Sequence, residues 1–391
     1  MPPLAIMARR ALTPSEEIAD PVVLVENGII TAVGPRESIG VPSGARLLDA
    51  GNVTLVPGFV DVHIHGAGGH DVMEATPEAL AAVTTTAARF GTTSLLATTV
   101  SASLDATCRS LEAIADYIRG QSPGGAGTEP RARILGIHFE GPFLSLARRG
   151  VHPPECLATP SLAVFSRLLD AAQGYGRLLT LAPELAGAPE LVREAAGKGL
   201  VVGMGHTDAT YSEAREAIRL GARHAVHVFN AMRPFSHRET GILGAVLTSP
   251  EVTAELIADG VHVDAPAMRL LLATKGAARV LLISDGTAAT GMPDGNYRLG
   301  TFDVTVKGGV SRNAEGVLAG STLTLDRAVR TIVNLGIPLA DAVRMATLTP
   351  ARLLGMDKHI GVLATGAVAN LVFLDERLNI AGVIVEGREL H

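Results

Sequence analysis

Side chains that chelate metals recur at the ends of apolar runs throughout this sequence. His63 and His65 close the run that starts at residue 58, and Glu140 closes 134–139. His206 follows 200–204, His227 lies within 224–228, and Asp285 follows 280–283. Withdrawing imidazoles and carboxylates from water is costly unless they are paired or bound to a metal. The chain must therefore adopt a fold that carries the ends of many strands to one point.

The spacing says which fold. Eight apolar runs, at 58–63, 93–98, 134–139, 178–181, 200–204, 224–228, 253–257 and 280–283, alternate with amphipathic stretches such as 77–90, 104–118, 162–172, 189–198, 211–220 and 266–275. Eight β-then-α units in series predict an α/β protein built on a (β/α)8 TIM-like barrel, because open doubly wound sheets seldom repeat the unit so often. The helical stretches mostly start after Ser, Asp or Pro and stop at Gly91, Gly174, Gly199, Gly221 and Gly276, as helix boundaries should. Before residue 57 the texture changes to short strands at 22–25, 29–33 and 53–56, with turns at Asn27-Gly28 and Gly51-Asn52. It returns at 370–374 and 383–387. A small β-sandwich domain formed from both chain termini, residues 1–56 and 359–391, with the barrel of 57–358 inserted, accounts for both ends. Two separate hairpins capping the barrel are the alternative. The Gly/Pro-rich segment 121–130 predicts a mobile surface loop.

Composition excludes several classes. The chain has 391 residues, 47% hydrophobic but only 3% aromatic and without Trp, so its core must be mostly Ala, Leu, Val and Ile. A net charge of −6 leaves no basic footprint for nucleic acid. Cys108 and Cys156 stand far apart without metal-type spacing, which argues against a disulfide framework and for a reducing compartment. The first twelve residues lack the basic-then-apolar order of a signal peptide. No apolar run approaches the length that spans a bilayer. A soluble, cytoplasmic protein without nucleic-acid or membrane partners is expected.

At the C-terminal ends of barrel strands, where such folds keep their active sites, His63 and His65 are two residues apart and face the same side. Two imidazoles there suit a divalent metal. Glu140, followed by Gly141-Pro142, can bind one metal or bridge two. The four lysines, Lys198, Lys275, Lys307 and Lys358, end no core strand, so a bridging group must come from Glu140. Asp285 is placed to take a proton from a metal-bound water and pass it to a leaving amine. The reading is a hydrolase with one or two divalent metals per chain: Zn first, with Fe, Mn, Co or Cd accepting the same donors.

The motifs also match a family. Val56-Pro57-Gly58-Phe59-Val60-Asp61-Val62-His63-Ile64-His65-Gly66 resembles the first barrel strand of the amidohydrolase superfamily. His138-Phe139-Glu140-Gly141-Pro142-Phe143, Leu181-Ala182-Pro183-Glu184, Gly205-His206-Thr207-Asp208-Ala209, His227-Val228-Phe229-Asn230-Ala231-Met232, Ala258-Asp259-Gly260-Val261-His262 and Leu318-Ala319-Gly320-Ser321 follow in order. Together they resemble the N-acetylglucosamine-6-phosphate deacetylases over nearly the whole chain. The resemblance implies a barrel with a terminal β-sandwich, Glu140, His206 and His227 around the catalytic metal, and Asp285 as proton shuttle. It implies an amino-sugar phosphate substrate, in amino-sugar catabolism and cell-wall recycling, touched by Val151, His152, Asn230, Ala231, Arg238, Asp259, Gly260, Val261, His262, Leu318, Ala319 and Gly320. His152 would polarise the acetamide carbonyl, and Arg238 and His262 would grip the phosphate. It further implies a homodimer in which Arg238 reaches the neighbouring site. Some members lack the first-strand histidines and work with one metal; this chain keeps both. A superfamily enzyme acting on a cyclic amide or deaminating a base would share the metal site but not need Arg238 or His262. A non-catalytic relative would have lost ligands, and here none is missing.

Overall fold

The computed structural model describes residues 2–121 and 129–390. Most of the expected loop at 121–130 thus lies outside the described residues. Eight parallel strands follow one another in chain order: β1 (Phe59–Ile64), β2 (Thr92–Thr99), β3 (Arg133–Glu140), β4 (Gly176–Leu181), β5 (Val201–Met204), β6 (His224–Ala225), β7 (Thr253–Ile257) and β8 (Val280–Ile283). The sheet closes on itself beyond the last strand. Ile64 bridges Gly286, His65 N donates to Gly286 O and Asp285 N donates to His63 O. Each strand is covered by barrel interior on one side and helices on the other, so every residue of β1, β2, β7 and β8 is buried. That double burial is why the strands read as continuous apolar runs rather than alternating ones.

The outer layer is α1 (Pro77–Arg89), α2 (Leu104–Gly120), α3 (Leu162–Ala171), α4 (Ala188–Gly197), α5 (Tyr211–Leu220), α6 (Gly241–Thr248), α7 (Ala265–Lys275) and α8 (Leu325–Asn334). Thr76, Ser103, Ser161 and Asp264 cap α1, α2, α3 and α7 by accepting a backbone N–H three residues on, and Thr210 with Glu213 caps α5 in both directions. After α1 the chain turns at Gly91 with φ 84°, where a Cβ would sit 2.9 Å from the Phe59 ring. Only glycine satisfies both the backbone angle and the space.

The termini build two more sheets. One orders Ile29–Pro35, Pro21–Glu26, Leu4–Met7 and Arg46–Asp49; the other orders Arg388–Glu389, Ile380–Val385, Leu371–Leu374, Thr54–Pro57, Arg10–Leu12 and Glu17–Ala19. Thr54–Pro57 pairs antiparallel with Leu371–Leu374, so both chain ends share one sheet. Ile6, Val23, Val25 and Ile30 of the first sheet pack with Leu55, Leu371, Phe373 and Ile384 of the second. The result is one sandwich, not two hairpins.

Three features differ from the sequence-based expectation. The sandwich holds additional short strands at Leu4–Met7, Arg10–Leu12, Glu17–Ala19 and Arg46–Asp49. A three-stranded antiparallel sheet, Gly295–Leu299, Phe302–Lys307 and Val310–Arg312, is inserted after β8. And β6 ends at Ala225 rather than residue 228. Past Val226 the left-handed backbone at His227, φ 27°, breaks the regular register; His227 N donates to the Glu255 carboxylate and Val228 N to Glu255 O, each at 3.0 Å.

Leu281 is fully buried in β8. Leu281→Ala should cost about 2–5 kcal/mol, the usual range for a large-to-small change in a packed core. Chemical denaturation measures it; a loss under about 1 kcal/mol would mean that the barrel closes around the void.

Candidate active site

Five imidazoles surround the carboxylate of Glu140 at the C-terminal mouth of the barrel. Its Oε1 lies 2.9 Å from His227 Nε2, 3.2 Å from His63 Nε2 and 3.3 Å from His206 Nε2. Its Oε2 lies 3.3 Å from His65 Nε2 and 3.5 Å from His152 Nε2. Asp285 Oδ1 completes the group, 3.1 Å from His65 Nε2 and 3.7 Å from His63 Nε2. His206, His227 and Asp285 all have left-handed backbones, with φ of 45°, 27° and 48°. Such conformations cost a non-glycine residue on the order of 1–3 kcal/mol and persist only where surroundings enforce them. Here they turn the chain just past a strand end. Gly205 makes the approach to His206 possible, since a Cβ there would fall 2.1 Å from Val226 Cγ2.

What the imidazoles can do depends on their other nitrogens. His65 Nδ1 donates to Thr98 O at 3.0 Å, His206 Nδ1 to Arg148 O at 3.0 Å, and His63 Nδ1 to Glu255 Oε2 at 2.9 Å. The two backbone carbonyls fix the proton of His65 and His206 on Nδ1, so in the neutral rings Nε2 carries the lone pair. Two lone pairs then face the oxygens of one carboxylate, a repulsive arrangement that a cation among them converts into ligation. His63 Nε2 is buried without a hydrogen-bond partner. Spacing agrees: ligand atoms about 2.0–2.1 Å from a tetrahedral metal stand roughly 3.3 Å apart, and His206 Nε2 and His227 Nε2 are separated by 3.1 Å. The residues fit a divalent metal.

His152 differs. Ser101 N donates to its Nδ1 at 3.2 Å, which places the lone pair there and the proton on Nε2. By position it could join Glu140 and His206 as a ligand. Its tautomer makes it a hydrogen-bond donor aimed into the site.

Without a cation the cluster takes up protons. Burial opposes charge on His65, but hydrogen bonds to Asp285 and Glu140 outweigh it and lift its pKa to about 10. Burial, with the charges of His152 and His227, pushes His206 down to about 4 despite its bond to Glu140. Burial also disfavours an ionised Glu140, yet the charge of His63 and the hydrogen bond from His152 hold it well below the usual carboxylate range.

The site opens into a cavity of about 300 Å³ lined by, among others, Val151, His152, Asn230, Ala231, His262, Leu318 and Gly320. Asp259, Gly260, Val261 and Ala319 are not part of that lining. Asp259 stands behind His262, with Oδ2 2.7 Å from its Nδ1 and Oδ1 accepting the N–H groups of Val261 and His262. Ala319 is packed with Val100, Leu299 and Val304. Arg238 is exposed on the loop after Met232, outside this cavity.

Several residues of the site escaped sequence reasoning. Glu255 is a fully buried carboxylate in the middle of β7, and a lone acid inside an otherwise apolar run was the available signal. Arg148 lines the cavity with its guanidinium tied to Asp208 at 2.8 Å. Leu299 reaches the cavity from the inserted sheet, whose turn is pinned where Gly300 N donates to the buried Asp71 at 2.8 Å. Nothing in the sequence marks that contact.

The amidohydrolase family model matches residues 54–390. The chain is 38% identical over 384 residues to the N-acetylgalactosamine-6-phosphate deacetylase of Escherichia coli O157:H7, covering 98% of each. It is 37% identical over 383 residues to the N-acetylglucosamine-6-phosphate deacetylase of Vibrio furnissii, covering 97% of this chain and 93% of the relative. A solved mutant N-acetyl-D-glucosamine-6-phosphate deacetylase from Mycobacterium smegmatis, in complex with N-acetyl-D-glucosamine-6-phosphate, matches with a TM-score of 0.91 and 37% identity over 100% of both chains.

Glu140→Gln should lose most of its bound divalent metal while the barrel stays folded, read by elemental analysis and circular dichroism; wild-type metal content in this variant would contradict the site. Below pH about 10 the metal-free site holds a proton on His65, and ligation must expel it. Cation uptake at mildly alkaline pH should therefore release protons, and apparent affinity should rise with pH up to that value. A pH indicator in dilute buffer reads the release, and uptake without any acidification would contradict the assignment of His65.

Proposed function

The chain belongs to the amidohydrolase family, and we propose that it hydrolyses the acetamide of N-acetyl-D-glucosamine 6-phosphate to D-glucosamine 6-phosphate and acetate. The observation that carries this reading is the likeness, across the whole of both chains, to a deacetylase solved with that sugar phosphate. On this reading residues 57–358 are the hydrolase barrel, and 1–56 with 359–391 are the sandwich. Glu140, His206 and His227 would hold one divalent cation, and His63 and His65, with Asp285 and Glu140 near by, would hold a second. Zinc suits this donor set, as do Fe, Mn, Co and Cd.

Held by these residues, a divalent cation would supply Lewis acidity, making a water a better nucleophile and the amide carbonyl more electrophilic. Asp285 takes the proton of the attacking water and returns it to the departing amine nitrogen. Asp285 Oδ1 lies 3.1 Å from His65 Nε2 and 3.7 Å from His63 Nε2, so a cation held there would keep the carboxylate ionised and ready to accept. His152 donates from Nε2 to the carbonyl oxygen as negative charge develops on it. Val151, Asn230, Ala231, Leu318 and Gly320 flank the sugar, with Ala319 packed behind them. His262, braced by the 259–261 turn, meets the phosphate together with Arg238 of a second copy. The exposed position of Arg238, away from its own cavity, is what such a contribution across a homodimer requires. The enzyme acts in the cytoplasm on a free sugar phosphate of amino-sugar catabolism.

One observation supports a second reading. A relative 38% identical is an N-acetylgalactosamine-6-phosphate deacetylase, which would make the C4 epimer the substrate. Acetate release from the gluco and galacto 6-phosphates and their unphosphorylated forms separates the two. The gluco phosphate should give the highest kcat/KM; a higher value for the galacto phosphate establishes the second reading, and no acetate from any of the four rejects both.

Asp285→Asn keeps the shape but removes the base, so kcat should fall by roughly two to four powers of ten with metal still bound. A near-normal kcat would remove Asp285 from the proton path. Arg238→Ala and His262→Ala should each raise KM for the phosphorylated sugar by about tenfold to a hundredfold, the equivalent of one charge-assisted hydrogen bond. Equal losses on unphosphorylated sugar would show that they support the fold or the dimer instead.

A further inference from the structure

Glu255 has no exposed surface, and the chemistry above does not use it. Its Oε2 accepts from His63 Nδ1 at 2.9 Å and from His227 N at 3.0 Å, and its Oε1 accepts from His224 Nε2 at 2.8 Å. His224 Nδ1 in turn meets Thr253 Oγ1 at 2.7 Å. The same two histidines, His63 and His227, turn their Nε2 atoms to Glu140 at 3.2 and 2.9 Å. His63 is thus clamped between two carboxylates, one at each ring nitrogen. With a cation in the site the ring is neutral, and which carboxylate receives its one proton decides what the ring can do. With the proton toward Glu255, Nε2 is a ligand. With the proton toward Glu140, Nε2 is a donor and the position is closed to a metal.

We propose that Glu255 is a positioning residue that holds His63 as the Nδ1–H tautomer, and that it thereby decides whether the chain holds a second cation. The inference rests on the two-cation reading given under the proposed function. A carboxylate suits the task because it only accepts hydrogen bonds, so a proton on Nδ1 is always satisfied. The bond to His227 N strengthens the arrangement, since a backbone N–H cannot reverse its role.

That asymmetry predicts how substitutions differ. In Glu255→Gln the amide oxygen takes the Oε2 position, where two donors meet and one is a backbone N–H. The amide NH2 then faces His224, whose proton can shift to the nitrogen facing Thr253. His63 keeps its tautomer. Glu255→Met has similar bulk but no acceptor, so the His63 proton moves to Nε2 and bonds to Glu140.

The test is zinc per chain, by elemental analysis after equilibration with saturating zinc and removal of excess. Wild type and Glu255→Gln should hold two, and Glu255→Met one, with the second zinc weakened by about tenfold to a hundredfold and circular dichroism unchanged. Two zinc ions at wild-type affinity in Glu255→Met overturn the inference alone; a single zinc in wild type overturns the two-cation reading and the inference with it. Should Glu255→Met not fold, imidazole 15N spectra of zinc-loaded wild type decide, with the His63 signals assigned by their loss in His63→Gln. Nδ1 protonated and Nε2 bound to zinc supports the inference, and the reverse overturns it.

Discussion

A single carboxylate facing a shell of imidazole lone pairs governs this structure. Glu140 ends β3 with both oxygens in contact with ring nitrogens from β1 and from the loops after β3, β5 and β6. Those residues are far apart in sequence, and no local motif brings them together. Barrel closure does so, by hydrogen bonds from His65 N to Gly286 O and from Asp285 N to His63 O. The left-handed turns at His206, His227 and Asp285 then bend the chain back over the barrel mouth. The stability of the packed barrel bears the cost of that local strain.

Identical side chains acquire different jobs here through their second nitrogen. His65 and His206 each give Nδ1–H to a backbone carbonyl, which leaves their Nε2 lone pairs facing the Glu140 carboxylate. His152 receives the N–H of Ser101 at Nδ1, and its Nε2 becomes a donor suited to a developing oxyanion. His262 is fastened to Asp259 at the cavity wall, apart from the imidazoles around Glu140. The chemistry of the site is therefore set as much by Thr98, Ser101, Arg148 and Glu255 as by the histidines themselves.

Much of this was legible in the sequence. Buried barrel strands read as unbroken apolar runs, and helix ends carried their capping residues, as at Thr210 with Glu213 and at Gly221. Glu140, His63, His65, His206, His227 and Asp285 stood out because a polar group at the end of such a run needs a partner. What stayed hidden depends on contacts between distant residues. The partner that sets the tautomer of His152 is 51 residues away. The early end of β6 comes with the left-handed turn at His227, whose N–H is accepted by Glu255 in the neighbouring strand. The inserted sheet at 295–312 follows an antiparallel, half-exposed pattern that short polar segments scarcely reveal. Glu255 itself was visible but unexplained, since a lone acid in a core strand signals a role without naming it.

If the Glu140 cluster is a cation site on which amide hydrolysis depends, acetate release from N-acetyl-D-glucosamine 6-phosphate should follow cation occupancy in protein stripped of metal with a chelator and then titrated with zinc, manganese or cobalt. Release should be negligible from the stripped protein, and recovery should saturate at no more than two equivalents of cation per chain. Full activity in protein shown by elemental analysis to be free of metal would contradict that dependence.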